Sequence, residues 1–237
     1  MKALNVIAKW LFVLCVPLLL LSASIGWAAN SLWLYEYGFQ KYDISRVTGL
    51  ENTELEKAAR GLVSYFNSGE EPLSVTVEKD GQPFTLFNER EVAHMKDVKG
   101  LFRLDYAIFF GALVYVLGYG VVSLLWRRPP SFRKDWRQLA KLTLIGSGAT
   151  LGIMLALWLG SLVNFEGLFR LFHLLSFSND FWQLDPSRDY LVMLFPGGFW
   201  YDATLFIALA ATGMSVILGG LAWAHLRYNK KEWQAKY

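Results

Sequence analysis

Four stretches of this chain, at about 10–33, 106–126, 139–163 and 203–224, are predominantly apolar over the roughly 20 residues that an α-helix needs to cross the hydrocarbon layer of a bilayer. Nothing else in the sequence restricts the fold as strongly. A segment in lipid must satisfy its own backbone N–H and C=O groups, and a helix does so within itself. Trp10, Trp33, Tyr106 and Trp126 stand at ends of these runs, where amphipathic rings settle at the headgroup boundary. With 54% hydrophobic and 16% aromatic residues, the chain is too apolar for a typical soluble domain.

Charge sets the expected orientation. The segment after the second run holds Arg127, Arg128, Arg133, Lys134, Arg137 and Lys141 against Asp135, and the tail holds Arg227, Lys230, Lys231 and Lys236 against Glu232. Short basic segments stay in the cytoplasm. Together with Lys2 and Lys9, these place twelve bases and two acids inside, and leave eleven bases and eighteen acids outside. The formal net charge of +3 thus conceals a strong asymmetry, and the membrane explains the basic side without nucleic acid. Both termini are therefore expected on the cytoplasmic side of the membrane. A cleaved signal peptide ending near Ser22-Ala23-Ser24 is the competing reading of the first run, but the run continues past those residues to Trp33. The single cysteine, Cys15, reads as a small buried hydrophobe.

The expected organisation is one membrane domain over 1–237, with an extracytoplasmic cap at 34–105 and an extracytoplasmic interfacial loop at 164–202. Within the cap, Thr53-Glu54-Leu55-Glu56 resembles a capping box opening a helix to about Phe66. Alternation at 73–77 and 84–86 around Asp80-Gly81 predicts a hairpin. Asn88, with Glu91 three residues on, predicts the cap of a further helix that runs down to the membrane. In the second loop, 165–178 predicts a short apolar helix with one polar stripe, too short to span and suited to the interface. Gly148 and Gly152, a small-xxx-small pair in the third run, predict close helix packing. The expected class is therefore mainly α: a polytopic four-transmembrane-helix bundle with a small α+β cap and an interfacial helix.

Two of the three histidines fall in these outer segments. Arg90, His94 and Asp97 recur at i, i+4 and i+7, and Glu166, Arg170 and His173 do the same, so each trio shares a helix face. Imidazole is the side chain best suited to exchange a proton near neutral pH, and two of them on one side of a membrane point to acid/base chemistry at its surface. Taken alone, His94 also reads as a solvated surface residue. An ionisable group in an apolar segment, as at His173, is costly to keep without a function. His225 closes the fourth run on the basic side and reads as a partner for the helix C-terminus. No third outer histidine and no His-x-x-x-His spacing supports a metal site, and Ile145-Gly146-Ser147-Gly148 does not fit a serine nucleophile motif. Neither metal nor cofactor is expected.

Asn88-Glu89-Arg90-Glu91-Val92-Ala93-His94-Met95-Lys96-Asp97-Val98-Lys99 and Phe172-His173-Leu174-Leu175-Ser176-Phe177-Ser178-Asn179-Asp180-Phe181-Trp182-Gln183-Leu184-Asp185-Pro186 resemble the two signature stretches of a family of bacterial four-span membrane proteins. The family includes the lipoprotein intramolecular transacylase, Lit, and the resemblance covers essentially the whole chain. It implies conversion of a diacylated bacterial lipoprotein to its lyso form. The sn-2 acyl chain of the S-diacylglyceryl group moves to the α-amino group of the N-terminal cysteine. It also implies a catalytic role for His94 and His173.

The residues suit that chemistry. An α-amino group with a pKa near 8 is mostly protonated at neutral pH, so its attack on an ester needs a base, and the departing glyceryl alkoxide needs a proton. Both reacting groups belong to one substrate molecule, so positioning carries much of the barrier reduction. Arg90, Arg170 and Asn179 are the candidate donors to the developing oxyanion, and Asp97 or Asp180 the candidates to orient an imidazole. Lipoprotein and membrane lipid are the expected partners. The alternative function is a non-catalytic membrane protein that binds lipid or lipoprotein through its outer cap.

Overall fold

The computed structural model describes residues 2–125 and 132–234. Its elements run α1 (Lys2–Asn30), α2 (Leu32–Lys41), α3 (Ile44–Thr48), α4 (Asn52–Asn67), β1 (Thr76–Lys79), β2 (Gln82–Thr85), α5 (Glu89–Leu125), α6 (Phe132–Ser176), α7 (Tyr190–Leu194) and α8 (Gly197–Gln234). α1, α5, α6 and α8 are each long and apolar enough to cross a membrane. Met1, residues 126–131, where the expected basic segment and cytoplasmic turn begin, and residues 235–237 lie outside the described residues. The chain divides into two compact units.

The first unit contains the apolar parts of the four long helices. Its core is a stripe on α1, Phe12, Val16 and Leu20, against which Tyr115, Val116 and Tyr119 of α5, Leu139 and Leu142 of α6, and Met214 of α8 pack. The i, i+4, i+8 spacing puts all three α1 residues on one face. Side chains on the outer faces remain uncovered, as at Val114 (71% exposed) and Leu209 (66%), which is the arrangement that lipid rather than water makes favourable.

Close packing of α6 falls at a different glycine from the expected pair. A Cβ on Gly148 or Gly152 meets nothing within 4 Å, whereas one on Gly146 lies 2.7 Å from Cβ of Val16 on α1. The small-xxx-small spacing therefore marks the wrong positions, because the spacing alone does not say which face of α6 turns to α1. Gly146→Val is expected to lower stability by about 1–3 kcal/mol through overpacking, whereas Gly148→Ala is expected to be near neutral. Thermal unfolding in detergent checks both, and equal midpoints for the two variants would contradict this packing.

The second unit holds 26–104 and 160–206. α4 buries Leu55, Ala58, Ala59, Leu62, Tyr65 and Phe66 along one face. It starts at Asn52 after Glu51 rather than at a Thr53 capping box. Glu54 instead accepts a hydrogen bond from the Glu78 N–H at 2.9 Å, so its side chain holds the hairpin. β1 and β2 pair antiparallel with Lys79 opposite Gln82. Asp80 and Gly81 form the turn with φ of 53° and 73°, the left-handed pair that a two-residue hairpin turn requires. The second strand lies at Gln82–Thr85, slightly earlier than the expected alternation.

α2 and α3 have no counterpart in the sequence reading. The aromatic residues of α2 bind it to the start of α8: Trp33 and Tyr37 pack on Phe206 with ring centroids 5.2 and 5.3 Å away. Asp202 of α8 accepts hydrogen bonds from Lys41 Nζ (2.8 Å), Tyr42 Oη (2.7 Å) and Tyr37 Oη (3.3 Å). The hydrogen bond to that carboxylate holds the Lys41 ammonium above its ordinary pKa. Lys99 of α5 is fully buried, with Nζ donating to the Glu70 carbonyl at 2.6 Å and lying 4.0 Å from the centre of the Tyr65 ring. The Lys99 contacts tie the early part of α5, which carries His94, to the segment after α4 and to Tyr65.

Candidate active site

Asn88 and Glu91 form the expected cap of α5 reciprocally. Asn88 Oδ1 accepts from the N–H groups of Arg90 (3.0 Å) and Glu91 (3.1 Å), and Glu91 Oε2 accepts from the Asn88 N–H (2.7 Å). His94 follows in the second turn. His173 sits in the last turn of α6. The third apolar run and the expected interfacial helix are successive parts of α6, separated by the non-helical residue Asn164 (φ −161°, ψ 83°). Asn164 Oδ1 accepts from the Gly167 N–H at 2.8 Å and so restarts the helix after the break. Leu171, Phe172, Leu174 and Leu175 are exposed on this last section, consistent with an interfacial face.

These two supports bring the histidines together. The imidazole rings lie 6.0 Å apart between centroids, with 29° between their planes. Both residues are buried, 7% and 8% exposed. Phe177 stands edge-on to His94 at 5.1 Å, and Phe169, Phe172 and Trp182 surround His173 at 4.4, 5.3 and 5.0 Å. His173 Nδ1 lies 2.8 Å from the Phe169 carbonyl oxygen. A carbonyl oxygen only accepts, so Nδ1 carries the proton and, in the neutral ring, Nε2 carries the lone pair. His94 Nδ1 is buried and makes no hydrogen bond among the described residues.

The remaining expected residues are placed differently from one another. Asn179 Nδ2 donates to Asp97 Oδ2 at 2.8 Å, so Asp97 orients Asn179 and not an imidazole. Asn179 Oδ1 in turn accepts from the Phe181 N–H. Asp180 uses its carboxylate on Gln183 and its carbonyl oxygen on Arg90, whose guanidinium donates at 2.6 Å. The group that orients an imidazole is thus a backbone carbonyl one helical turn earlier, which no side-chain pattern reveals. Arg170 is exposed and makes no hydrogen bond or ion pair among the described residues. His225 stacks loosely on Trp136 at 6.0 Å in the other unit.

Farther along the loop, Asp185 accepts from both the hydroxyl and the N–H of Ser187, which hold its carboxyl below the usual carboxylate range. Its own N–H donates to Asp189 Oδ2 at 2.7 Å. A groove of about 610 Å³ on the far face of α5, lined by Leu73, Phe87, Val92 and the ion pair of Lys96 with Glu71 (2.9 Å), presents neither histidine. The two imidazoles thus present a lone pair on Nε2 of a fixed tautomer in His173 and, in His94, a buried Nδ1 without a hydrogen bond among the described residues.

Known proteins agree with the fold. A protein of Aquifex aeolicus (strain VF5), itself uncharacterized, is 32% identical over 207 residues, covering 85% of this chain and 86% of that one. The in meso structure of the membrane integral lipoprotein intramolecular transacylase Lit from Bacillus cereus superposes with a TM-score of 0.78 at 20% identity, over 98% of this chain and 100% of that one. A variant of the same protein with a histidine replaced by arginine gives 0.77 at 19% identity, over 98% and 96% of the two chains. Residues 10–200 match the family described as lipoprotein intramolecular transacylase Lit, and the chain belongs to that family.

Proposed function

We propose that this chain carries out the reaction for which its family is named, moving the sn-2 acyl chain of a diacylated lipoprotein onto the α-amino group of the lipid-bearing cysteine. The observation that carries this reading is the buried imidazole pair at 6.0 Å, with His173 held by the Phe169 carbonyl in one tautomer. In the proposed sequence, the amine nitrogen attacks the ester carbonyl and His173 Nε2 takes one proton from it. The tetrahedral intermediate collapses, the bond to the glyceryl oxygen breaks, and that oxygen recovers the proton. The product is an amide and a free sn-2 hydroxyl, and the base ends as it began.

The His94 ring lies beside that of His173, and a protonated ring nitrogen of His94 is the proposed donor to the oxygen that gains charge. Arg170, the unused N–H groups of Arg90 and the second amide N–H of Asn179 are the supporting donors; Asn179 gives its first to Asp97. Attack within one molecule needs no enzyme nucleophile and no cofactor. The charge asymmetry of the sequence supports both termini in the cytoplasm and this site at the outer leaflet.

Expression in cells that carry a diacylated lipoprotein tests the proposal. Tandem mass spectrometry of the N-terminal lipopeptide is expected to find one acyl chain on nitrogen and one on glycerol. Two chains still on glycerol, with the protein folded in the membrane, would instead favour a non-catalytic binder.

A further inference from the structure

Glu91 does more than cap α5. Its carboxylate is 1% exposed and forms no ion pair among the described residues. One oxygen, Oε2, accepts from the Asn88 N–H at 2.7 Å, which completes the helix cap. The other, Oε1, accepts from the N–H of Leu191 in α7 at 2.6 Å, 100 residues along the chain. Asn88 is divided in the same way. Its Oδ1 caps α5, and its Nδ2 donates to Asp189 Oδ1 at 2.9 Å.

Burying a carboxylate without a cation is costly, and a capping box alone needs only one of its oxygens. The second oxygen is committed to the outer loop. That loop is held at four points to the first turns of α5: Asp180 by Arg90, Asn179 by Asp97, Asp189 by Asn88 and Leu191 by Glu91. Between these points it carries Trp182, whose ring lies 5.0 Å from that of His173. His94 stands one turn beyond Glu91 on the same helix. The contacts that anchor the loop therefore join the element under His94 to the ring that backs His173.

We propose that Glu91 is a positioning residue for transacylation, latching the outer loop to α5 and so setting the spacing of His94 and His173. This rests on the two histidines being the reacting pair. Glutamine separates the two tasks of Glu91. Its amide oxygen accepts one N–H and so serves a capping box, but its NH2 group then meets the second N–H donor to donor.

The test uses the full-length protein in detergent with a synthetic S-diacylglyceryl cysteine peptide, and compares wild type with E91Q and Asn88→Ser. The serine keeps a capping oxygen and removes only the donor to Asp189. Both variants are expected to lose kcat, by roughly 10- to 100-fold in E91Q, with KM little changed. The ring 15N resonances of His94 and His173 are expected to move in histidine-labelled E91Q, because their surroundings have shifted. Wild-type kcat per folded molecule in E91Q overturns the latch. So does a loss of rate with unmoved ring resonances, because the effect of Glu91 would then not pass through the position of the imidazoles. His94→Ala and His173→Ala in the same assay keep the two readings apart: full turnover in either removes that histidine from the reacting pair, whatever E91Q does.

Discussion

Replacing His173 by asparagine is expected to lower transacylation about 10²- to 10⁴-fold, the usual contribution of a positioned general base, with little loss of folded protein. The choice of asparagine follows from the geometry. The imidazole donates from Nδ1 to the Phe169 carbonyl at 2.8 Å, and a carboxamide NH2 starts from nearly the same place on the side chain. The variant therefore keeps a donor for that carbonyl and a planar group among Phe169, Phe172 and Trp182, while it deletes the Nε2 lone pair. His173→Ala removes both and confounds the base with the packing. The readout is the fraction of lipopeptide with an acyl group on nitrogen, measured against membrane-extracted folded protein. Near-normal N-acylation by the asparagine variant would show that no proton passes through His173.

Much of this arrangement was open to a reader of the sequence, and the exceptions have a common cause. Apolar runs and the Asn88 and Glu91 cap are local properties, repeated or spaced along the chain; the cap forms as expected and each of four long helices is apolar enough to span, though the helices extend well past the runs. The hairpin turn at Asp80 and Gly81 is local in the same sense. Interactions that depend on distant elements were not legible. Thr53 and Glu56 have the spacing of a capping box, but α4 starts before them at Asn52 and Glu54 takes the Glu78 N–H; α2 is held by Asp202 more than 160 residues away. Gly146 rather than Gly148 meets α1 because helix rotation is set by all the neighbours together.

The site shows the same division. The spacing of Arg90, His94 and Asp97 gave each a place on one face, and the family motifs selected the two histidines. It did not give their partners. Asp97 goes to Asn179, the imidazole is oriented by a main-chain carbonyl, and the second oxygen of Glu91 reaches Leu191. Backbone acceptors carry no side-chain signature, so a search for an orienting carboxylate looks for the wrong chemistry.

Whether the two rings act on one event or on two is decided by combining their substitutions. With His94→Ala alone, about a 10²-fold loss is expected, since the donor proposed for the oxygen that gains charge is gone. The double variant His94→Ala/His173→Asn is expected to be only slightly slower than the slower single variant, well short of the product of the two losses. The reason is geometric. With centroids 6.0 Å apart, the proposed reaction puts both rings at one tetrahedral intermediate, and once either is missing the other would have no assembled transition state to stabilise. Groups that serve one transition state are strongly non-additive, whereas groups that serve separate, independent steps multiply their effects. The measurement is the initial rate of N-acylation for the four members of the cycle, at equal amounts of folded protein. A double variant slower by the full product of the two single losses would mean that the imidazoles work independently, and that their proximity does not couple them in one step.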